Sequence, residues 1–102
     1  MKLVGQRELT RFIRRHADSR QWLTTWARIV EAGAWNNLDD LRKDYPGADG
    51  VKLRSKNVVT VFNVKGNEYR LLSYVIYPMG TVAVLEVMTH ADYSKNLWKM
   101  RY

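Results

Sequence analysis

Asn57-Val58-Val59-Thr60-Val61-Phe62-Asn63-Val64-Lys65-Gly66-Asn67-Glu68-Tyr69-Arg70-Leu71-Leu72-Ser73-Tyr74-Val75-Ile76-Tyr77 is the stretch that decides the fold. Two runs rich in β-branched and aromatic residues, Asn57 to Val64 and Glu68 to Tyr77, suit a pleated surface. Between them Lys65-Gly66-Asn67 makes a compact turn, since Gly66 and Asn67 both tolerate positive φ. A connection that short leaves the strands antiparallel. Pro78-Met79-Gly80 then reverses the chain into a third strand, Thr81 to Met88, completing a meander. Alternation places Arg70 with Leu72, Tyr74 and Ile76, and opposite Tyr69, Leu71, Ser73 and Val75. Neither set is cleanly polar, so both faces are expected to be partly covered. One face takes helices, and the other forms a shallow groove for a ligand or partner chain.

Upstream, the apolar spacing becomes helical. Leu9, Phe12 and Ile13 form one stripe between Gln6 and His16, with Arg7, Arg11, Arg14 and Arg15 around the remaining faces. Asp18 or Ser19 is expected to cap a second helix running to Ala32, with a stripe of Trp22, Leu23, Trp26, Ile29 and Val30 and a stop at Gly33. Asn37 is placed to cap a third, Leu38 to Asp44, which Tyr45-Pro46-Gly47 ends. Met1 to Val4 reads as a short strand, Pro46 to Gly50 as turn, and Lys52 to Lys56 as a basic loop. Helices first and strands after predict one α+β domain over residues 1–102, its helices packed on one face of a small, mainly antiparallel sheet.

Composition narrows the function classes. Seventeen Lys and Arg against ten Asp and Glu give a net charge of +7 on 102 residues. That surplus attracts polyanions and speeds their encounter. The chain has no cysteine, so disulfides and thiolate chemistry are excluded. Without an apolar N-terminal stretch or a run near the ~20 residues a bilayer needs, a cytoplasmic protein without membrane contact is expected. His16 and His90 are the two histidines. Asp39, Asp40 and Asp44 share one short helix, where they complement neighbouring bases more readily than they bind an ion. No metal or other cofactor is expected, and no phosphate loop, Gly-x-Ser-x-Gly or HExxH pattern occurs.

Cleavage of RNA without a metal fits what remains. Attack of a ribose 2′-OH on phosphorus needs a base, a cation for the charged phosphate and an acid for the leaving oxygen. Arg70 lies in a strand, and His90, Tyr93 and Lys95 cluster just beyond the last strand, where a rigid element holds side chains at a rim. Each also admits a structural reading. Arg70 could pair with Glu86 across the sheet, His90 could be a capping or turn residue, and Tyr93 a half-buried anchor. Lys95 and Lys99 could be solvent-facing charges.

Two segments resemble the HigB family of toxins, a branch of the RelE-like superfamily. Val61 to Leu72 is similar to the family's central signature. Val87-Met88-Thr89-His90-Ala91-Asp92-Tyr93-Ser94-Lys95 is similar to its second, a Thr-His-x-x-Tyr-x-Lys pattern. Trp26 and Trp35-Asn36-Asn37 stand where the family has similar residues, and the likeness runs over residues 1–95. It implies a RelE-like toxin fold and a ribosome-dependent mRNA endonuclease that arrests translation. It also implies an inactivating helix-turn-helix antitoxin, HigA-like, which contacts operator DNA in the complex. In that reading Arg70 steadies the phosphate, His90 and Lys95 transfer protons, and Tyr93 orients or stacks the nucleotide. Lys52, Arg54, Lys56, Asn63 and Lys65 would hold RNA. The Lys52–Lys56 stretch is more basic than the family leads one to expect, and the tail after Lys95 is unlike it. A non-catalytic RNA- or ribosome-binding module and a ParE-type gyrase inhibitor are the alternatives, and neither has need of a titratable histidine beside a lysine.

Overall fold

The computed structural model describes residues 1–102. In chain order it comprises β1 (Lys2–Val4), α1 (Gln6–Arg15), α2 (Arg20–Ala32), α3 (Leu38–Asp44), β2 (Asp49–Lys52), β3 (Val58–Val64), β4 (Tyr69–Ile76), β5 (Thr81–Thr89) and α4 (His90–Ser94). Single 3₁₀ turns lie at Ala17–Ser19, Tyr77–Met79 and Leu97–Met100. The strands form one sheet in the order β1-β5-β4-β3-β2, antiparallel except for β1, which joins β5 in parallel at the edge. This is the expected α+β arrangement, with the β3–β5 meander at its centre.

One strand was not expected. β2 occupies ground read as turn and loop, so Lys52 ends a strand and only Leu53 to Asn57 form the hairpin connection. Asp49 and Gly50 are poor strand formers, and the pairing with β3, from Asp49 opposite Val61 to Lys52 opposite Val58, overrides their propensity.

The helices cover one face of the sheet. Leu9 and Phe12 of α1, Leu23, Trp26 and Val30 of α2, and Leu41 of α3 close on Phe62, Val64, Tyr69, Leu71, Val82, Val84 and Val87. The stripe on α2 is narrower than its sequence suggests. Trp22 is half-buried against Tyr45, their ring centroids 5.9 Å apart, and Ile29 is exposed. Asn37 caps α3 as expected, its Oδ1 accepting from the Asp40 N–H at 2.9 Å. Ser19 precedes α2 but does not cap it, because its buried Oγ donates instead to the His16 carbonyl at 2.7 Å. Gly5 enters α1 at φ +81°, and a Cβ there would sit 2.5 Å from the Val84 carbonyl oxygen. Only glycine lets α1 start so close to β5.

The other face is covered by the tail after Lys95. Leu53, Val59, Val61, Leu72, Met88 and Trp98 form a second, smaller cluster, flanked by Tyr74, Leu85, Tyr93 and Tyr102. A β-bulge helps to build this face. Leu72 pairs with Glu86 but Ser73 with Val84, which leaves Leu85 without a partner. Leu85 therefore joins the cluster while Glu86 accepts from the Arg101 guanidinium and, at 2.8 Å, from Tyr102 Oη. Ser55 Oγ and Asn57 Nδ2 donate to the Tyr102 main-chain oxygen at 2.7 and 3.2 Å, so the hairpin holds the tail's far end.

Candidate functional site

Arg70 opens the site. It is the only charged side chain in the interior, 8% exposed, and it stands on the tail-covered face between Asn63 of β3 and Met88 of β5. No carboxylate pairs with it. Glu86, the partner a structural role would use, is taken by Arg101 and Tyr102. One guanidinium nitrogen donates to the Tyr69 carbonyl at 3.0 Å and another reaches Asn67 Oδ1 at 3.5 Å, the limit of a hydrogen bond. The remaining N–H donors have no protein partner. Those donors are not sealed from solvent, so an incoming anion can reach them. The arrangement has the chemistry to donate hydrogen bonds to an anionic oxygen.

The Tyr93 ring lies against this guanidinium, 5.6 Å from ring centroid to Cζ, and stacks in turn on Trp98 at 5.3 Å and 16°. Trp98 Nε1 donates to the Tyr93 carbonyl at 3.1 Å, which locks the stack from below. Burial pushes the Tyr93 phenol up, the Asp49 carboxylate adds to the rise, and Arg70 opposes it. At neutral pH Tyr93 therefore remains a neutral O–H, able to donate or to stack, and is not a base. Asp49 is engaged by Arg42 at 3.6 Å.

α4 is positioned by its cap. Thr89 Oγ1 accepts from the Asp92 N–H at 3.1 Å, which starts the helix directly at the end of β5. The His90 N–H donates to the Glu68 carbonyl at 3.0 Å, tying this helix start to the β3–β4 turn. The His90 side chain is exposed. Lys95, just past the helix end, is also exposed, its Nζ 3.4 Å from Asp92. Neither makes a hydrogen bond to Arg70. Of the four residues expected to carry chemistry, Arg70 and Tyr93 are thus in contact, while His90 opens the short helix that carries Tyr93 and Lys95 follows its end.

The expected RNA-holding residues separate into three places. Asn63 is opposite Arg70 and, with Asn67 and Gly47, lines a cleft of about 320 Å³ beside it. A Cβ on Gly47 would lie 2.9 Å from Asn63 Nδ2, so glycine leaves that amide its room. Lys65 is directed elsewhere, 2.9 Å from Asp18, which also accepts from Tyr69 Oη at 2.8 Å. Hydrogen bonds from Lys65 and then Tyr69 hold the Asp18 carboxyl below the usual carboxylate range, and Asp18 raises Lys65 in return. Lys52 and Arg54 line a larger cleft against the tail, whereas Lys56 sits in the hairpin tip at φ +72°. Asp49 and Trp98 escaped sequence reasoning because only the pairing of β2 and the fold-back of the tail bring them to Tyr93. No group of three His, Cys, Asp or Glu residues could hold a metal ion, and no helix is long and apolar enough to cross a membrane.

Comparison with known proteins agrees with this architecture. Residues 19–96 match the family model of the HigB toxin, described as the RelE-like toxic component of a toxin–antitoxin system. The mRNA interferase toxin HigB of Escherichia coli (strain K12) is 28% identical over 93 residues, covering 91% of this chain and 88% of the relative. An mRNA interferase HigB of Shigella flexneri matches with the same identity and coverage. Another, from Escherichia coli strain CFT073, is 22% identical over 95 residues, covering 93% and 90%. The matched region runs from the start of α2 past the end of α4 and contains Arg70 and both signature segments. The chain belongs to the HigB family, the RelE-like toxic components of toxin–antitoxin systems.

Proposed function

We propose that the chain is the toxin of a toxin–antitoxin pair and acts as a ribosome-dependent mRNA endonuclease. The observation that carries this reading is Arg70, a buried guanidinium with free donors and no carboxylate. A scissile phosphate seated there supplies the missing charge. As the 2′-OH attacks phosphorus and the 5′ oxygen leaves, negative charge grows on the phosphoryl oxygens, and a preorganised cation lowers the barrier most at that moment. Tyr93, held protonated, stacks against or donates to the nucleotide. His90 and Lys95, flanking it in solvent, exchange the two protons. The products are a 2′,3′-cyclic phosphate and a 5′-hydroxyl end. Asn63, beside Arg70, meets the nucleotide directly; Lys52, Arg54 and Lys56 hold RNA farther out, on the message or the ribosome, while Lys65 is committed to Asp18. A helix-turn-helix antitoxin of the HigA kind restrains the activity and carries the complex to operator DNA.

Controlled expression followed by mapping of mRNA 5′ ends tests the proposal. New ends confined to translated messages are expected, and growth arrest without them would refute the nuclease. Arg70→Ala and His90→Ala should each abolish the new ends in a folded protein. Arrest that survives both substitutions overturns the site.

A further inference from the structure

A second feature of the tail-covered face lies away from Arg70. Between the β2–β3 hairpin and the last 3₁₀ turn runs a cleft of about 660 Å³. Lys52 and Arg54 line one wall, Lys99, Arg101 and Tyr102 the other. Arg101 is held by Glu86, but Lys52, Arg54 and Lys99 have no carboxylate partner. The walls are fixed before anything binds. The Tyr102 main-chain oxygen accepts from Ser55 and Asn57 of the hairpin, and Trp98, 1% exposed, pins the turn whose Lys99 ammonium lies 5.8 Å from its ring. Three unpaired cations on two facing walls amount to a preformed site for a chain of spaced negative charges.

The cleft is separate from Arg70 but shares its face. Tyr74, four residues up β4 on the same side, touches Asn57 of the hairpin and stacks edge-on with Tyr102. Four strand residues span roughly 13 Å. One ligand that engages both places must therefore be extended and carry repeated charge. We infer that this cleft is a second RNA-backbone site, which grips the sugar–phosphate chain beyond the nucleotide cut at Arg70. The inference rests on the reading of RNA as substrate. An acidic polypeptide is the competing ligand, but it would leave the free donors of Arg70 and the stacked Tyr93 face unused, whereas one RNA strand uses both.

The test is binding of a labelled 2′-O-methyl RNA oligonucleotide, which lacks the attacking hydroxyl and cannot be cut. Anisotropy titrations over a salt series compare wild type with the double variant Lys52→Gln/Lys99→Gln. A second double variant, Arg7→Gln/Arg14→Gln, removes the same charge from exposed positions on α1, in the opposite layer. The cleft variant should bind about tenfold more weakly, and its log K against log salt slope should shrink by about 1.4, two contacts at about 0.7 each for a single strand. The α1 variant should change affinity by less than about twofold. Equal weakening in both variants would mean diffuse attraction by net charge and would overturn the site, as would unchanged binding by the cleft variant or no RNA binding by wild type. A poly-glutamate peptide that binds wild type in place of RNA, and loses binding in the cleft variant, would reassign the cleft to an acidic partner. Because the probe is not cleaved, an absence of new mRNA ends in cells would sink the nuclease while leaving this result standing.

Discussion

Tyr69 and Arg70 are neighbours in β4 that point to opposite faces, and their surroundings differ as much as two buried sites can. On the helix side, Tyr69 Oη closes a set in which Asp18 is met by Lys65 and every charge has its opposite. Below it lies an apolar core of fifteen residues. On the tail side, Arg70 keeps free donors and no counter-charge above a cluster of only six. A single strand thus serves stability on one face and holds an unneutralised cation on the other. Such a cation is tolerated where a ligand supplies the balance.

The largest expected effect tests the helix side. Trp26 is fully buried and packs edge-on against Phe62 at 5.3 Å. Trp26→Ala should cost about 3–5 kcal/mol, a large part of the roughly 5–15 kcal/mol that holds a domain together. Trp98→Ala, on the other face, should instead free the residues beyond Lys95 before the sheet melts. Denaturant midpoints with hydrogen exchange on the tail amides check both. Equal loss of midpoint in the two variants would mean that the faces contribute alike.

Arg70→Ala should separate activity from stability. Cleavage should fall by about 10²–10³-fold, the usual effect of losing one preorganised group aimed at developing charge. The denaturation midpoint should hold or rise, since an unneutralised cation leaves the interior. A cleavage assay on ribosome-bound message, paired with urea melts, measures the two. A destabilised protein would show that Arg70 is structural after all.

Much of this was legible in the residues, and the exceptions have causes. The β-branched runs and their glycine turns gave the meander, and the placement of Arg70 opposite Tyr69 followed from alternation alone. The Asn37 cap announced α3. β2 was invisible because Asp49 and Gly50 become strand only through their register with β3. The bulge at Leu85 could not be seen either, and without it alternation puts Leu85 and Glu86 on opposite faces. At the candidate site, the grouping of His90, Tyr93 and Lys95 just beyond the last strand was legible. The stacking of Tyr93 on Trp98 was not, because it depends on how the tail folds back. Lys65 looked like any other basic residue near the signature until Asp18, forty-seven positions away, claimed it.

The tail itself offers a smaller effect at high pH. Burial, reinforced by the hydrogen bond to Glu86, pushes the Tyr102 phenol up to about 12 from an ordinary value of 10.0. Folding therefore favours its protonated form. The stabilisation is complete below pH 10 and disappears as pH rises from there to about 12. The gain is under about 1 kcal/mol, since solvent screens part of it. Tail-amide exchange should quicken over that window in wild type, and Tyr102→Phe should remove the pH step. A step that persists in Tyr102→Phe would assign it to another group.

The smallest effect belongs to the neutralised trio on the helix side. Asp18 titrates below its ordinary 3.8 because Lys65 and Tyr69 bond to its charged form. A carboxyl lowered on folding stabilises above its unfolded pKa, and the contribution fades as pH falls through the lowered folded value. Asp18 and Lys65 are both near half exposed, so the effect at neutral pH is slight. Asp18→Asn should shift the melting temperature little at pH 7 and flatten its acid dependence below pH 4. Cleavage should stay close to wild type, because the trio faces away from Arg70. That last expectation is the sharpest check on the two faces. Arg70 donates to the carbonyl of Tyr69 and reaches Asn67 in the turn that Lys65 begins. If Asp18→Asn slowed cleavage as much as Arg70→Ala while leaving the melt unchanged, the trio would be positioning the arginine through that backbone, and the faces would be coupled.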